Sequence, residues 1–172
     1  MEIFIAALIF AGMIFAATAL IGAPYVPTHK KEAVFAFTEL YQLKNTDLVV
    51  DIGSGDGVVL ATIGELGARG VGYEINPFLV LISRWRLRRF KDSLTVYLRN
   101  FWKTPLPDDT TIVYTFGESR DIKKMYKYVE QEATRLQKRI AFISYGFAVP
   151  GIVAKKSKRA HYLYQITPLQ PQ

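Results

Sequence analysis

At 172 residues the chain has room for one compact domain plus an appendage, since a single core typically takes roughly 100 to 150 residues. It holds no cysteine, which excludes a disulfide framework, a thiolate nucleophile and a Cys-rich zinc site. The formal charge of +7 favours an anionic partner: nucleic acid, an acidic protein or anionic lipid headgroups.

From Ile3 to Ile21 there is no charged residue and a single hydroxyl, Thr18. As a helix this run would be about 28 Å long at ~1.5 Å per residue, which matches a bilayer core and predicts a transmembrane anchor over residues 1–22. A cleaved signal peptide wants a basic start, and here the chain opens Met1-Glu2. His29, Lys30 and Lys31 follow the run, so the positive-inside tendency puts the remainder on the cytoplasmic face, or on the matrix face in an organelle. Residues 23–31, with Pro24 and Pro27, read as an extended hinge, because proline disfavours helix at the residue before it. Residues 32–172 read as one globular domain.

Thr28 is placed to cap a helix over 29–43, which Asn45 and Thr46 break. Leu48-Val49-Val50-Asp51-Ile52 is a short apolar run ending in glycines, the pattern of a parallel strand buried on both faces. A helix over 58–66 follows, then a second strand over 70–74 and a helix after Pro77 whose polar face carries Arg84, Arg86, Arg88, Arg89 and Lys91. Strands are expected over 95–98, 111–116 and 139–147, with a helix over 122–137 before the last of them. Residues 161–167 alternate as an antiparallel edge strand would. Strands alternating with helices imply a doubly wound α/β sheet.

The turn Gly53-Ser54-Gly55-Asp56-Gly57 after the first strand brings backbone close to a ligand, because glycine permits positive φ and removes the side chain. Its spacing is G-x-G-x-G, unlike the G-x-G-x-x-G turn that sets a pyrophosphate on a helix N-terminus, and no phosphate-cradling P-loop run is present. Asp51 and Asp56 would repel a pyrophosphate and attract an ammonium or sulfonium group, so the turn suits a cationic cofactor. Glu74, closing the second strand, is placed to accept hydrogen bonds from ribose hydroxyls.

The runs Val50-Asp51-Ile52-Gly53-Ser54-Gly55-Asp56-Gly57 and Val71-Gly72-Tyr73-Glu74-Ile75-Asn76-Pro77-Phe78-Leu79-Val80 resemble the class I methyltransferases. Within that class they look like the lysine N-methyltransferases that modify adenine nucleotide translocase and the ATP synthase c-subunit. Pro24-Tyr25-Val26-Pro27-Thr28 stands where that family has a proline-bearing motif, and Asn100-Phe101-Trp102-Lys103 resembles its Asp-Leu-Trp-Lys. The resemblance implies a Rossmann-like methyltransferase sheet behind one N-terminal transmembrane helix, with S-adenosyl-L-methionine as cofactor. By the same analogy Asp51, Gly53 and Gly55, with Ser54, Asp56 and Gly57 in the same turn, hold the methionine part. Glu74, with Ile75 and Asn76 beside it, takes the ribose, and Asn100 with Phe101 the adenine edge. Asn100 replaces an aspartate, keeping an amide oxygen for the adenine amine but no charge.

Methyl transfer to an amine needs the nucleophile in line with the sulfonium methyl, so positioning and desolvation can supply most of the acceleration. Ligands of open α/β sheets sit at the carboxyl ends of the strands, so Phe116, Gly117 and Glu118 should border the reaction, with Glu118 to assist deprotonation and Tyr25 to close the site with its ring. His29 and His161 lack metal-ligand spacing, and no metal is expected. The expected activity is methylation of a lysine on a membrane or membrane-proximal protein. The alternatives are a lipid or membrane small-molecule methyltransferase and a noncatalytic cofactor-binding module. The basic helix face and Lys155-Lys156-Ser157-Lys158-Arg159 suit anionic headgroups. Nucleic acid ranks last, for want of a recognition element.

Overall fold

The computed structural model describes residues 1, 4–6, 12, 28–117 and 119–169. Helix α1 (Lys30–Phe35) runs into a π-helical turn (Ala36–Leu40). Then come β1 (Leu48–Ile52), α2 (Val58–Glu65), β2 (Arg69–Glu74), α3 (Pro77–Leu87), β3 (Leu94–Leu98), β4 (Ile112–Phe116), α4 (Ile122–Arg135), β5 (Ile140–Tyr145), β6 (Lys156–Lys158) and β7 (His161–Ile166). The sheet order is β3-β2-β1-β4-β5-β7-β6. The first five strands pair in parallel, while β7 runs antiparallel to both β5 and β6.

β1 is buried along its whole length, as a central parallel strand covered on both faces must be. On one side of the sheet α1, the π turn, α2 and α3 close a core around Phe37, Leu60, Ile63 and Tyr114. On the other, α4 packs Ile122, Met125, Val129 and Ala133 over Val113, Phe142 and Tyr164. The order reverses between β1 and β4, so the switch point where such sheets bind ligands lies beside Asp51.

Three expectations are corrected by the structure. Among the described residues no helix is long and apolar enough to cross a membrane, so the fold carries no N-terminal transmembrane helix there, and most of residues 1–22, with hinge residues 23–27, lies outside the described set. The helix expected over 29–43 starts at Lys30, on His29, which makes no side-chain cap bond, and ends as a π turn. The wider turn lets Ala36, Phe37 and Leu40 all reach the core, and Tyr41, already extended, donates its N–H to the Ala36 carbonyl at 3.0 Å. The antiparallel edge holds two strands rather than one, because β6, drawn from the basic run, pairs outside β7.

Candidate functional site

Asp51 sits one residue from the end of β1, in register with Gly72 of β2 and Tyr114 of β4. It is buried, and its Oδ2 has no hydrogen-bond partner. Burial, then the charges of Glu74 and Asp56, push its pKa up to about 8. The Tyr114 hydroxyl is likewise buried, and Thr28 reaches toward it without closing a hydrogen bond of normal geometry. Burial first, and the Asp51 charge second, hold that phenol well above its usual range.

The glycine turn is fastened to the end of β2. Gly53 and Ser54 donate their N–H groups to the Tyr73 carbonyl at 2.9 and 3.1 Å. Glu74 then ties the two turns together: its Oε2 accepts from Gly55 N–H at 2.9 Å, and its Oε1 from Ile75 and Asn76 N–H at 2.7 and 2.8 Å. Gly53, Gly55 and Gly57 all have positive φ. A Cβ added at Gly53 would meet nothing within 4 Å, so this glycine leaves open space beside Asp51, whereas one at Gly57 would lie 2.3 Å from Ser83 Oγ. Gly53 therefore clears room for a ligand, and Gly57 allows α2 to start against α3.

The other expected residues divide. Asp56 is turned away from the pocket into an ion pair with Arg86 of α3 at 2.7 Å, so the carboxylates left for a cation are Asp51 and Glu74. Ser54 is buried with an unpartnered Oγ, against Gly72, where an added Cβ would lie 2.6 Å from that oxygen. Asn76 caps α3, its Oδ1 accepting from Phe78 and Leu79 N–H. Asn100 caps the 3₁₀ turn Phe101–Lys103 in the same way, accepting from Trp102 N–H at 3.0 Å, so one lone pair of the amide oxygen is already engaged. Phe101 packs against Trp102 and Tyr128, which also meet edge to face. Tyr25 and Glu118, the two residues expected at the methyl-transfer step, lie outside the described residues.

An aromatic row that no sequence motif singles out starts where Phe116 ends β4. The Phe116 ring lies 4.6 Å from that of Tyr145, its register partner on β5, and Tyr145 stacks on His161 of β7 at 4.3 Å and 16°. His161 is fully buried; its Nδ1 sits 3.1 Å from the Arg159 carbonyl, its Nε2 has no partner, and burial lowers its pKa. Tyr145 is pushed up by burial and by the charge of Glu32 on α1. The available signal was positional: Tyr145 and His161 stand where β5 ends and β7 begins, at the edge of the sheet that carries Asp51 and Glu74.

The site thus joins a buried, unpaired carboxyl, a glycine opening, a carboxylate holding two turns and, at the neighbouring strand ends, partly buried aromatic rings. Its donor set suits a ligand with a positive charge deep inside and a ring-shaped or cationic second group near Phe116 and Tyr145.

The family model of the ANTKMT methyltransferase domain matches residues 51–156. The chain is similar to the human lysine N-methyltransferase of the ATP synthase c-subunit, 32% identical over 111 residues that make up 63% of this chain and 46% of the relative. Its Xenopus laevis counterpart is 32% identical over 132 residues, 76% of this chain and 56% of the relative. The chain spans about half the length of these curated relatives. Among solved structures, the RNA methyltransferase from Salinibacter ruber in complex with S-adenosyl-L-homocysteine superposes with a TM-score of 0.73 at 24% identity, covering 86% of this chain and 97% of that one. A SAM-dependent methyltransferase from Geobacter sulfurreducens, also with S-adenosyl-L-homocysteine, gives 0.58 at 18% identity, covering 82% and 59%. At these identities the two structures establish the fold.

Proposed function

Because the chain belongs to the ANTKMT methyltransferase family, we propose that it transfers the methyl group of S-adenosylmethionine to a lysine Nζ of a protein substrate. The observation that carries the cofactor half is Asp51: a buried carboxyl with an unpartnered oxygen at the switch point calls for a positive charge, and the cofactor brings an ammonium and a sulfonium. The opening beside Gly53 gives that group room, and Glu74, with one lone pair remaining on Oε2, is available to the ribose. When bound, the cofactor supplies an electrophilic methyl group for displacement by a neutral amine.

The chain's own residues position both reactants. The glycine turn and Glu74 fix the cofactor end, while Phe116 and Tyr145 wall the approach of the lysine stem and face its cation with ring surface. Loss of the lysine proton is eased by the desolvation these rings impose, since burial disfavours an ammonium. Kinship with enzymes named for lysine methylation of an ATP synthase component supports a protein acceptor.

Labelled S-adenosylmethionine, added with the purified chain to isolated native membranes and to the soluble fraction, tests the reading. Label on lysine in a protein band is expected, and its appearance in the membrane fraction bears on the finer expectation of a membrane-borne substrate. Label confined to the lipid extract would leave a methyltransferase but overturn the lysine acceptor, and no label with full cofactor binding would overturn catalysis.

A further inference from the structure

α3 meets the sheet through Leu79, Val80, Ser83 and Leu87 and turns its other face to solvent. On that outer face Leu81, Ile82 and Trp85 are 62%, 47% and 68% exposed, large fractions for side chains of this kind. At about 100° per residue these three fall within one stripe roughly 100° wide. Arg84 and Arg88 lie along one side of it and Arg86 along the other. The Arg88 guanidinium sits 4.5 Å above the Trp85 ring, and Arg84 donates through Nη2 to the Val96 carbonyl of β3 at 3.1 Å, so both cations are held beside the stripe.

Charge along this stretch is predominantly positive. Residues 81–99 contain Arg84, Arg86, Arg88, Arg89, Lys91 and Arg99 against the single carboxylate Asp92. Asp56 neutralises Arg86 and Glu65 pairs with Arg89, which leaves Arg84, Arg88, Lys91 and Arg99 without an ion-pair partner among the described residues.

We infer that the outer face of α3 docks on an anionic lipid bilayer, with Trp85, Leu81 and Ile82 at the boundary between headgroups and acyl chains and the arginines on the phosphates. An apolar stripe with the unpaired cations Arg84 and Arg88 along one flank matches that boundary layer by layer: the indole takes the interfacial position that its apolar body and polar N–H favour, and the long arginine stems lie along the stripe while their heads reach out. Nucleic acid would engage the cations but set Leu81 and Ile82 against a phosphodiester backbone, leaving their apolar surface without compensation. The contact is peripheral, and raised salt weakens it.

The chain holds two tryptophans, so the Trp102→Phe variant leaves Trp85 as the sole indole and reports on this face whatever other segment meets lipid. Phosphatidylcholine vesicles containing phosphatidylserine are expected to shift Trp85 emission to the blue, and brominated acyl chains to quench it. Pure phosphatidylcholine vesicles should give a much smaller response, and salt should reverse the effect. In the otherwise native chain, Trp85→Ala and the double change Arg84→Glu with Arg88→Glu should each lower partition into anionic vesicles at least ~10-fold, with unchanged far-ultraviolet circular dichroism. Trp85 emission indifferent to anionic vesicles overturns the inference. So does a response equal on neutral vesicles, or one produced by an RNA oligonucleotide and not by lipid.

Discussion

Asp51 and Tyr114 are register partners across β1 and β4, and each holds a buried oxygen without a hydrogen-bond partner. Buried polar atoms are nearly always satisfied, so two orphans on adjacent strands at the switch point mark a place built for something else to bind. The Asp51 charge also raises the cost of ionising its neighbour, being one of the causes that hold the Tyr114 phenol protonated.

Asp51 makes cofactor binding depend on pH. Its folded-state pKa of about 8 lies above the usual carboxylate range, so the fold binds this proton more tightly than the unfolded chain does. Stability without cofactor should fall as pH rises from about 4 to about 8 and then level off. A bound cation favours the ionised carboxylate, so affinity for S-adenosylmethionine should climb over the upper part of that window, by at most about tenfold per pH unit. Asp51→Asn should weaken binding by tenfold or more and flatten both dependences, as read by calorimetry and urea midpoints at pH 6 and 8.

Glu74→Ala should remove cofactor affinity and also loosen the fold locally. Three backbone N–H groups lose their acceptor, a loss of about 1–3 kcal/mol for each group left buried and unmet, partly relieved by entering water. Hydrogen exchange should speed up at Gly55, Ile75 and Asn76 ahead of the rest of the domain. Unchanged protection at these amides would show that the carboxylate does not hold the turns.

Gly57→Ala tests packing without touching the ligand pocket. The added Cβ meets Ser83 Oγ at 2.3 Å on a backbone of φ +80°, and overpacking plus left-handed strain should lower stability by roughly 2–4 kcal/mol. Ser83→Ala removes an oxygen that has no partner and should be close to neutral alone. Combined, the pair should recover part of the loss in urea midpoint, the φ strain remaining.

Tyr145→Ala should separate acceptor from cofactor. With the ring gone from its place between Phe116 and His161, methyl incorporation into protein should drop about tenfold, while affinity for S-adenosylmethionine stays within about twofold. Equal losses in both would move Tyr145 into the cofactor site.

The parallel strands were legible because each is a compact apolar run: β1 spans the expected residues, and β2 to β5 differ by a residue or two at their ends. β6 was not, because Lys156-Ser157-Lys158 contains no apolar residue and is exposed throughout; its pairing with β7 follows from the tight turn at Arg159 and Ala160, which neither residue's chemistry announces. The glycine turn and Glu74 could be read from their spacing. The partner of Asp56 could not: Arg86 stands 30 residues on and reaches back only once α3 has packed, and that contact reassigns a carboxylate that charge alone would give to the cofactor. Asn76 and Asn100 show the same limit, since a side chain that caps a turn and one that awaits a ligand look alike until the local N–H groups are placed.

The short outermost strand also sets what the β6 edge of the sheet, opposite β3, offers to a second copy of this chain. A sheet ending in a long, flat, greasy margin would invite another margin to zip onto it, but this one ends in three residues, two of them lysines, and a second copy would bring the same charges to the same line. Mutual repulsion along that rim keeps the open hydrogen-bonding groups of β6 from recruiting a neighbour, a safeguard against stacking into fibres that needs no covering helix.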